Sequence, residues 1–140
     1  MNYIGISHSP QETEDIGAKL AESLSGRCVI ALVGDLGAGK TALIRGIARA
    51  LGYEGNVTSP TFAIVNDYRV GGKTVLYHMD IYRIDEDGLE DIGWEDYLAA
   101  GVPIAVEWAE NAEGLMPPDA IRVNISGSGE EPRMISVNIP

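Results

Sequence analysis

The chain has 140 residues, 21 acidic against 10 basic side chains, a formal net charge of −11 and one cysteine. This length predicts one domain, 1–140, and such an acidic chain lacks the basic surface that direct, tight nucleic-acid binding requires. Its longest purely apolar run, 28–33, is too short to span a membrane. The N-terminus lacks the layout of a signal peptide, and a lone cysteine excludes an intrachain disulfide. We therefore expect a cytoplasmic protein.

The first predicted element is a helix that begins after Ser9. Ser9 caps it, Pro10 takes the first helical position and Glu12 completes a capping box. Apolar residues follow at helical spacing, and we expect this helix to end near Gly26.

A glycine-rich loop comes next, between a predicted strand and a predicted helix. The run 34–41 matches the phosphate-binding pattern G-x-x-x-x-G-K-[ST]; its residues are Gly34, Asp35, Leu36, Gly37, Ala38, Gly39, Lys40 and Thr41. The three glycines can take positive φ, which lets backbone N–H groups close around phosphates. The apolar run 28–33 predicts a buried strand before the loop, and apolar residues at helical spacing after it predict a helix that stops at Gly52. This order points the helix N-terminus at an anion and predicts a nucleotide site.

Two side chains of the loop have chemical roles of their own. Lys40 reaches the β- and γ-phosphates in such loops, which makes it a candidate catalytic residue, and the hydroxyl of Thr41 is a candidate Mg²⁺ ligand.

The remaining chain predicts strands with one short helix among them. A hairpin joins strands 62–69 and 74–79 through the turn 70–73, and a short helix covers 89–98. Buried strand 103–106 follows, and alternating segments 121–125 and 134–139 predict a closing antiparallel pair. The predicted fold is an α/β, P-loop NTPase-like mixed β-sheet flanked by helices, with the phosphate site at the carboxyl ends of its parallel strands.

Hydrolysis also needs an acidic residue near the metal and a group that positions water. Asp80 and Glu107 each follow an apolar strand, and the pattern does not choose between them. A lone histidine in a strand, such as His78, is more often packed structurally than catalytic. Arg69 and Arg83 are by default surface residues, although either could stabilise phosphoryl charge.

An acidic segment, 85–96, carries seven of the 21 carboxylates. One interpretation is a solvated helix face; the other is a docking surface for a basic protein partner. The D-x-x-G at 85–88 also occurs in GTPase switches, but no N-K-x-D guanine-reading motif is present.

Four blocks together resemble the TsaE (YjeE) family, bacterial ATPases required for threonylcarbamoyladenosine modification of tRNA. The blocks are the loop 34–41, Ser59-Pro60-Thr61-Phe62, Tyr77-His78-Met79-Asp80-Ile81-Tyr82-Arg83 and Val106-Glu107-Trp108. The likeness runs from about Glu12 to the last strand, and the last three blocks are the specific ones.

This resemblance implies roles that the patterns leave open. It implies ATP and Mg²⁺ as ligands, with Thr41 and Glu107 holding the metal and Asp80 as the catalytic or water-orienting carboxylate. It further places Thr61 in a switch-like loop near the γ-phosphate, Trp108 beside the nucleotide, and Thr13 and Arg133 near the base or ribose.

The resemblance also implies a partner. Proteins of this family act on the TsaB–TsaD pair, which modifies adenosine 37 of tRNA. The resemblance therefore implies that the ATPase acts on tRNA only indirectly, through this pair, and that it does not bind a membrane. Two other functions stay open: a small-molecule kinase, although no clustered basic lid is present, and a non-catalytic nucleotide-sensing switch.

Overall fold

The computed structural model describes residues 2–24, 29–35, 39–60 and 64–140. Within these ranges the chain forms seven strands, four α-helices and one 3-10 helix. The strands are β1 (Asn2–Ser7), β2 (Val29–Gly34), β3 (Val65–Val70), β4 (Lys73–Asp80), β5 (Ile104–Glu107), β6 (Ile121–Ser126) and β7 (Arg133–Asn138). The helices are α1 (Pro10–Ala21), α2 (Lys40–Ala50), α3 (Glu86–Asp91), α4 (Trp94–Ala99) and the 3-10 helix Ala109–Leu115.

All seven strands form one mixed sheet in the order β1-β7-β6-β2-β5-β4-β3. The four central strands β6, β2, β5 and β4 are parallel, and antiparallel pairing adds β7 and β1 at one side and β3 at the other. The predicted α/β fold with a mixed sheet flanked by helices is therefore confirmed.

Each face of the central sheet has its own core, because successive strand side chains point to opposite faces. Ile30 and Leu32 of β2 pack with Leu43 and Ile47 of α2. On the other face, Val29 and Ala31 pack with residues of β5, α3, α4 and the 3-10 helix. No helix in the described part of the chain is long and apolar enough to cross a bilayer.

Several local predictions are confirmed. Gly71 and Gly72, both at positive φ, form the hairpin turn between β3 and β4, and β6 pairs antiparallel with β7. Helix α2 stops before Gly52, whose φ is 98°. The predicted starts of β2 at Cys28 and of β3 at Phe62 lie outside the described residues, and the strands begin at Val29 and Val65.

The first helix begins as predicted but ends earlier. Ser9 Oγ accepts from Glu12 N at 3.1 Å, while the Glu12 carboxylate accepts from His8 N instead of from the cap residue. Helix α1 ends at Ala21, so the predicted end near Gly26 is wrong. The N–H groups of residues 22–24 donate to carbonyls three residues back, which tightens the last turn and ends the α-helical pattern.

Two further differences concern the acidic segment and the N-terminus. The predicted single helix over 89–98 is wrong: α3 and α4 are separate, and Gly93 between them has a φ of 95°, a left-handed conformation that interrupts an α-helix. Strand β1 was not predicted; it pairs with β7 along its whole length and forms one edge of the sheet.

Helices α1 and α2 approach each other closely at two glycines. A Cβ built on Gly17 would lie 2.1 Å from Leu43 O, and one on Gly46 would lie 1.9 Å from Glu14 O. Because these neighbours are backbone atoms, a side chain at either position forces the helices apart.

Gly17→Ala should therefore lower the free energy of unfolding, by about 1–3 kcal/mol, through overpacking. In an unobstructed helix the same change stabilises by about 0.5–1 kcal/mol, so the sign is diagnostic. Urea denaturation measures the effect, with the exposed Lys19→Ala in the same helix as control. Stabilisation by Gly17→Ala would contradict this close packing.

Candidate functional site

The candidate site lies where the central parallel strands end. Leu32 of β2 and Asp80 of β4 both pair with Glu107 of β5, so the three strands end side by side. Parallel strands in open α/β sheets present ligand sites at this edge. Both carboxylates that the sequence left as alternatives are thus present at one place.

The chain enters α2 from the end of β2. Gly34 is the last residue of β2, and a Cβ there would lie 2.5 Å from Ile125 O, so glycine is required by close packing. Asp35 follows and is exposed, and Gly39 precedes α2 with a φ of 104°. Positive φ is therefore found at Gly39 but not at Gly34. Residues Leu36, Gly37 and Ala38 lie outside the described ranges.

Oxygen atoms from three segments meet at the start of α2. Thr41 Oγ1 lies 2.8 Å from Ser59 Oγ, which donates to Glu107 Oε2 at 3.5 Å. Ser59 thus connects the two residues named from the resemblance as metal ligands. The predicted nucleotide contact Thr61 lies outside the described residues.

A buried hydrogen-bonded chain extends from Glu107 into the sheet. Glu107 is only 3% exposed, and its Oε2 lies 2.5 Å from His78 Nε2. The other ring nitrogen, His78 Nδ1, lies 2.8 Å from the hydroxyl of Tyr68, and both residues are buried. The sequence predicted a packed histidine here, but nothing in the local pattern indicated its partners.

The ammonium group of the loop lysine lies over an aromatic ring. Lys40 Nζ is 3.9 Å from the centroid of the Trp108 ring and donates to Gly34 O at 2.8 Å. The ring of Tyr82, which is 56% exposed, packs against the ring of Trp108, with 4.8 Å between their centroids. Trp108 has a φ of 62°, the sole positive φ at a non-glycine position within the described ranges, which marks a constrained backbone at the site.

Burial shifts the pKa of two charged groups at the site. It lowers the pKa of the Lys40 ammonium, although Glu107, Glu110 and Asp80 oppose the shift by their negative charge. It raises the pKa of the Asp80 carboxyl, and the charge on Glu107 raises it further, against the hydrogen bond from Tyr82 N. Such shifts concentrate at functional sites.

A second region of the site lies toward β1 and β7. A cavity of about 280 Å³ is lined by Thr13, Gly39 and Arg133 among others. The pairing of Ser7 with Arg133 in the sheet, together with the 2.7 Å contact between Ser7 Oγ and Thr13 Oγ1, brings these distant residues together. Both positions predicted near the base or ribose therefore adjoin the first turn of α2.

The donor set at Thr41, Ser59 and Glu107 consists of oxygen atoms alone. Mg²⁺ prefers hard oxygen ligands and commonly takes one or two carboxylates with phosphate oxygens and water. The described residues hold no group of three His, Cys, Asp or Glu side chains suited to a metal ion. The three oxygen donors match the ligand preference of Mg²⁺.

The acidic segment 85–96 is exposed at all seven carboxylates. Asp85 caps α3 by accepting from Gly88 N at 2.9 Å, and Glu86 accepts from Gly114 N at 2.8 Å. The fixed residues of the D-x-x-G, Asp85 and Gly88, are thus joined by the N-cap hydrogen bond of α3. Docking at the rest of the segment stays a prediction.

The fold and the strand-loop-helix site define a protein of the P-loop NTPase-like class. Comparison with known families identifies the family within this class: residues 7–135 match the family described as "Threonylcarbamoyl adenosine biosynthesis protein TsaE". The chain belongs to the TsaE family, which functions in tRNA threonylcarbamoyladenosine biosynthesis.

Individual relatives agree with this assignment. The chain is 39% identical to the tRNA threonylcarbamoyladenosine biosynthesis protein TsaE of Bacillus subtilis over 91% of its own length and 80% of that protein. It is 44% identical to the TsaE protein of Haemophilus influenzae over 69% of its length, and this match spans 61% of that relative. Among solved structures, the crystal structure of Bacillus subtilis YdiB superimposes with a TM-score of 0.76 at 31% identity, covering 99% of this chain and 86% of that one.

Trp108 provides a test of the site, because it is one of only two tryptophans. Phosphates that draw Lys40 away from the ring would remove a cation–π contact and change the emission of Trp108. We expect Mg-ATP to change the fluorescence of the wild type and of Trp94→Phe, in which the buried tryptophan of α4 is removed. Trp108→Phe should abolish the response. A full response in Trp108→Phe would contradict this placement.

Proposed function

We propose that this protein is a Mg²⁺-dependent ATPase that acts on a TsaB–TsaD-type complex in the modification of adenosine 37 of tRNA. The observation that carries the proposal is the convergence of Lys40, Thr41, Asp80 and Glu107 at one edge of the sheet. Family membership adds the tRNA modification pathway.

Phosphate binding is assigned to the first turn of α2. The N-terminus of α2 has no side-chain cap, so its backbone N–H groups can donate hydrogen bonds to an anion. Lys40 is buried, with its ammonium beside Gly34 O and the Trp108 ring. We assign it to the β- and γ-phosphates, where its charge opposes the charge of the transferring group.

Thr41 and Glu107 are assigned to Mg²⁺, with Ser59 between them. When bound, the ion supplies neutralisation of negative charge on the β- and γ-phosphates. The protein's contribution is to hold the two oxygen ligands on rigid elements, the first turn of α2 and the end of β5.

Asp80 is assigned as the carboxylate that orients the attacking water. It ends the strand next to Glu107, and its Oδ1 accepts from Tyr82 N at 3.0 Å, which fixes its side chain. The raised pKa of this carboxyl reflects a low-dielectric setting that strengthens its interaction with a nearby water. The base and ribose are assigned to the cavity at Thr13 and Arg133.

The net charge of −11 supports a role in which a protein partner, and not this chain, binds the tRNA. Hydrolysis would then act on the partner through elements that contact the γ-phosphate. Cytoplasmic location follows from this pathway and belongs to the same proposal.

Phosphate release from Mg-ATP, measured with the chain alone and with the TsaB–TsaD pair, tests the proposal. We expect slow turnover that rises when the pair is added. Lys40→Ala should abolish it, whereas Lys73→Ala at the exposed start of β4 should not. If the rate of turnover were unchanged by the pair but rose with a metabolite that itself became phosphorylated, the protein would instead be a small-molecule kinase.

Asp80→Asn tests the assignment of the water-orienting carboxylate. The amide keeps the shape of the side chain but loses its negative charge, so ATP binding should persist while turnover falls by about 100-fold or more. Binding of a fluorescent ATP analogue and phosphate release report the two steps separately, with the exposed Asp119→Asn as control. Normal turnover by Asp80→Asn in the presence of the pair would refute this role.

A further inference from the structure

We propose that His78, held by Tyr68, is a positioning residue that sets the orientation of the Glu107 carboxylate for metal binding. The inference rests on the proposed function, since it concerns the same Mg²⁺ site. It assigns a role to the histidine of the Tyr-His-Met-Asp block, which the sequence indicated only as a packed residue.

The three side chains cross three neighbouring strands. Tyr68 lies on β3, His78 on β4 and Glu107 on β5, and the sheet order places these strands next to one another. His78 pairs with Asn66 on one side and with Ala105 on the other, so it reaches Tyr68 and Glu107 diagonally, two residues along each strand. Long and aromatic side chains make such diagonal contacts within one face of a sheet.

The hydrogen-bond chemistry has a fixed direction at the carboxylate. An ionised carboxylate only accepts, so His78 Nε2 donates to Glu107 Oε2 across 2.5 Å. In the neutral ring, Nδ1 then accepts from the Tyr68 hydroxyl at 2.8 Å. Tyr68 thereby fixes both the tautomer and the rotation of the imidazole.

The hydrogen bonds from Tyr68 through His78 determine the orientation of the Glu107 carboxylate. His78 and Ser59 both donate to Oε2, which restricts rotation of the carboxylate and so sets where its other oxygen points. Partners outside the set of metal ligands orient the ligands and tune their affinity, and their loss typically costs about 10–100-fold in metal binding. Full burial of His78 adds rigidity, because the ring cannot turn without disturbing the core.

The test measures metal affinity directly. Electron paramagnetic resonance of free Mn²⁺ gives the Mn²⁺ dissociation constant of the protein saturated with a non-hydrolysable ATP analogue. We expect His78→Leu to weaken Mn²⁺ binding by about tenfold or more, while affinity for the metal-free nucleotide in EDTA is unchanged. His78→Gln, whose amide can still donate to Oε2, should recover most of the affinity.

Tyr68→Phe removes only the hydroxyl and keeps the proposal testable should His78→Leu fail to fold. It should weaken Mn²⁺ binding by less than His78→Leu, with Tyr97→Phe, a partly buried tyrosine on α4, as control. Unchanged Mn²⁺ affinity in Tyr68→Phe and, where it folds, in His78→Leu, together with lowered melting temperatures, would overturn the inference and leave a structural role. Failure of the wild type itself to bind Mn²⁺ with the analogue would instead overturn the proposed function.

Discussion

Burial of the Glu107 carboxylate is the constraint on which the arrangement of the site depends. A carboxylate that is only 3% exposed is costly unless other groups donate to it, and here His78 and Ser59 both do. These donors come from β4 and from the segment before β3, so the carboxylate ties together parts of the chain that are far apart in sequence. Thr41 joins the same set through Ser59. The residues of the proposed metal site are therefore linked to one another through this one buried carboxylate.

The candidate site continues along the carboxyl edge of the sheet in both directions. Toward β7 it reaches the cavity at Thr13 and Arg133, and toward β4 it reaches Trp108 and the exposed ring of Tyr82. Asn111 donates to Ile81 O and Tyr82 O at 2.9 Å each, which fastens the 3-10 helix to the segment after β4. Trp108, which contacts Lys40, also packs against the exposed ring of Tyr82, so ring contacts connect the loop lysine to the surface.

Local patterns in the sequence predicted the parts of the fold that local rules determine. Strand β2, helix α2 and the Gly71-Gly72 turn each follow from residues adjacent in the chain. Strand β1 escaped prediction because its pattern is inverted: Ile4 and Ile6 point outward and are exposed, while the intervening small and polar positions face inward. Hydropathy alone gives such a segment no buried face.

The site was predictable only as far as its residues lie within recognisable blocks. Asp80 and Glu107 were found as strand ends, but the residues that hold Glu107 lie 29 and 48 positions before it. Only the strand order β5-β4-β3 brings His78 and Tyr68 into line, and a single sequence does not specify that order. Likewise, the pairing of β1 with β7 is what places Arg133 near Thr13.

The most direct test of the central claim is the position of the metal in a crystal of this protein grown with Mn²⁺ and a non-hydrolysable ATP analogue. Anomalous scattering locates the ion without relying on the protein model. We expect a peak within about 2.0–2.3 Å of Thr41 Oγ1 and within coordination distance, directly or through one water, of Glu107. A peak elsewhere, with Glu107 still bonded to His78 and remote from the ion, would contradict it.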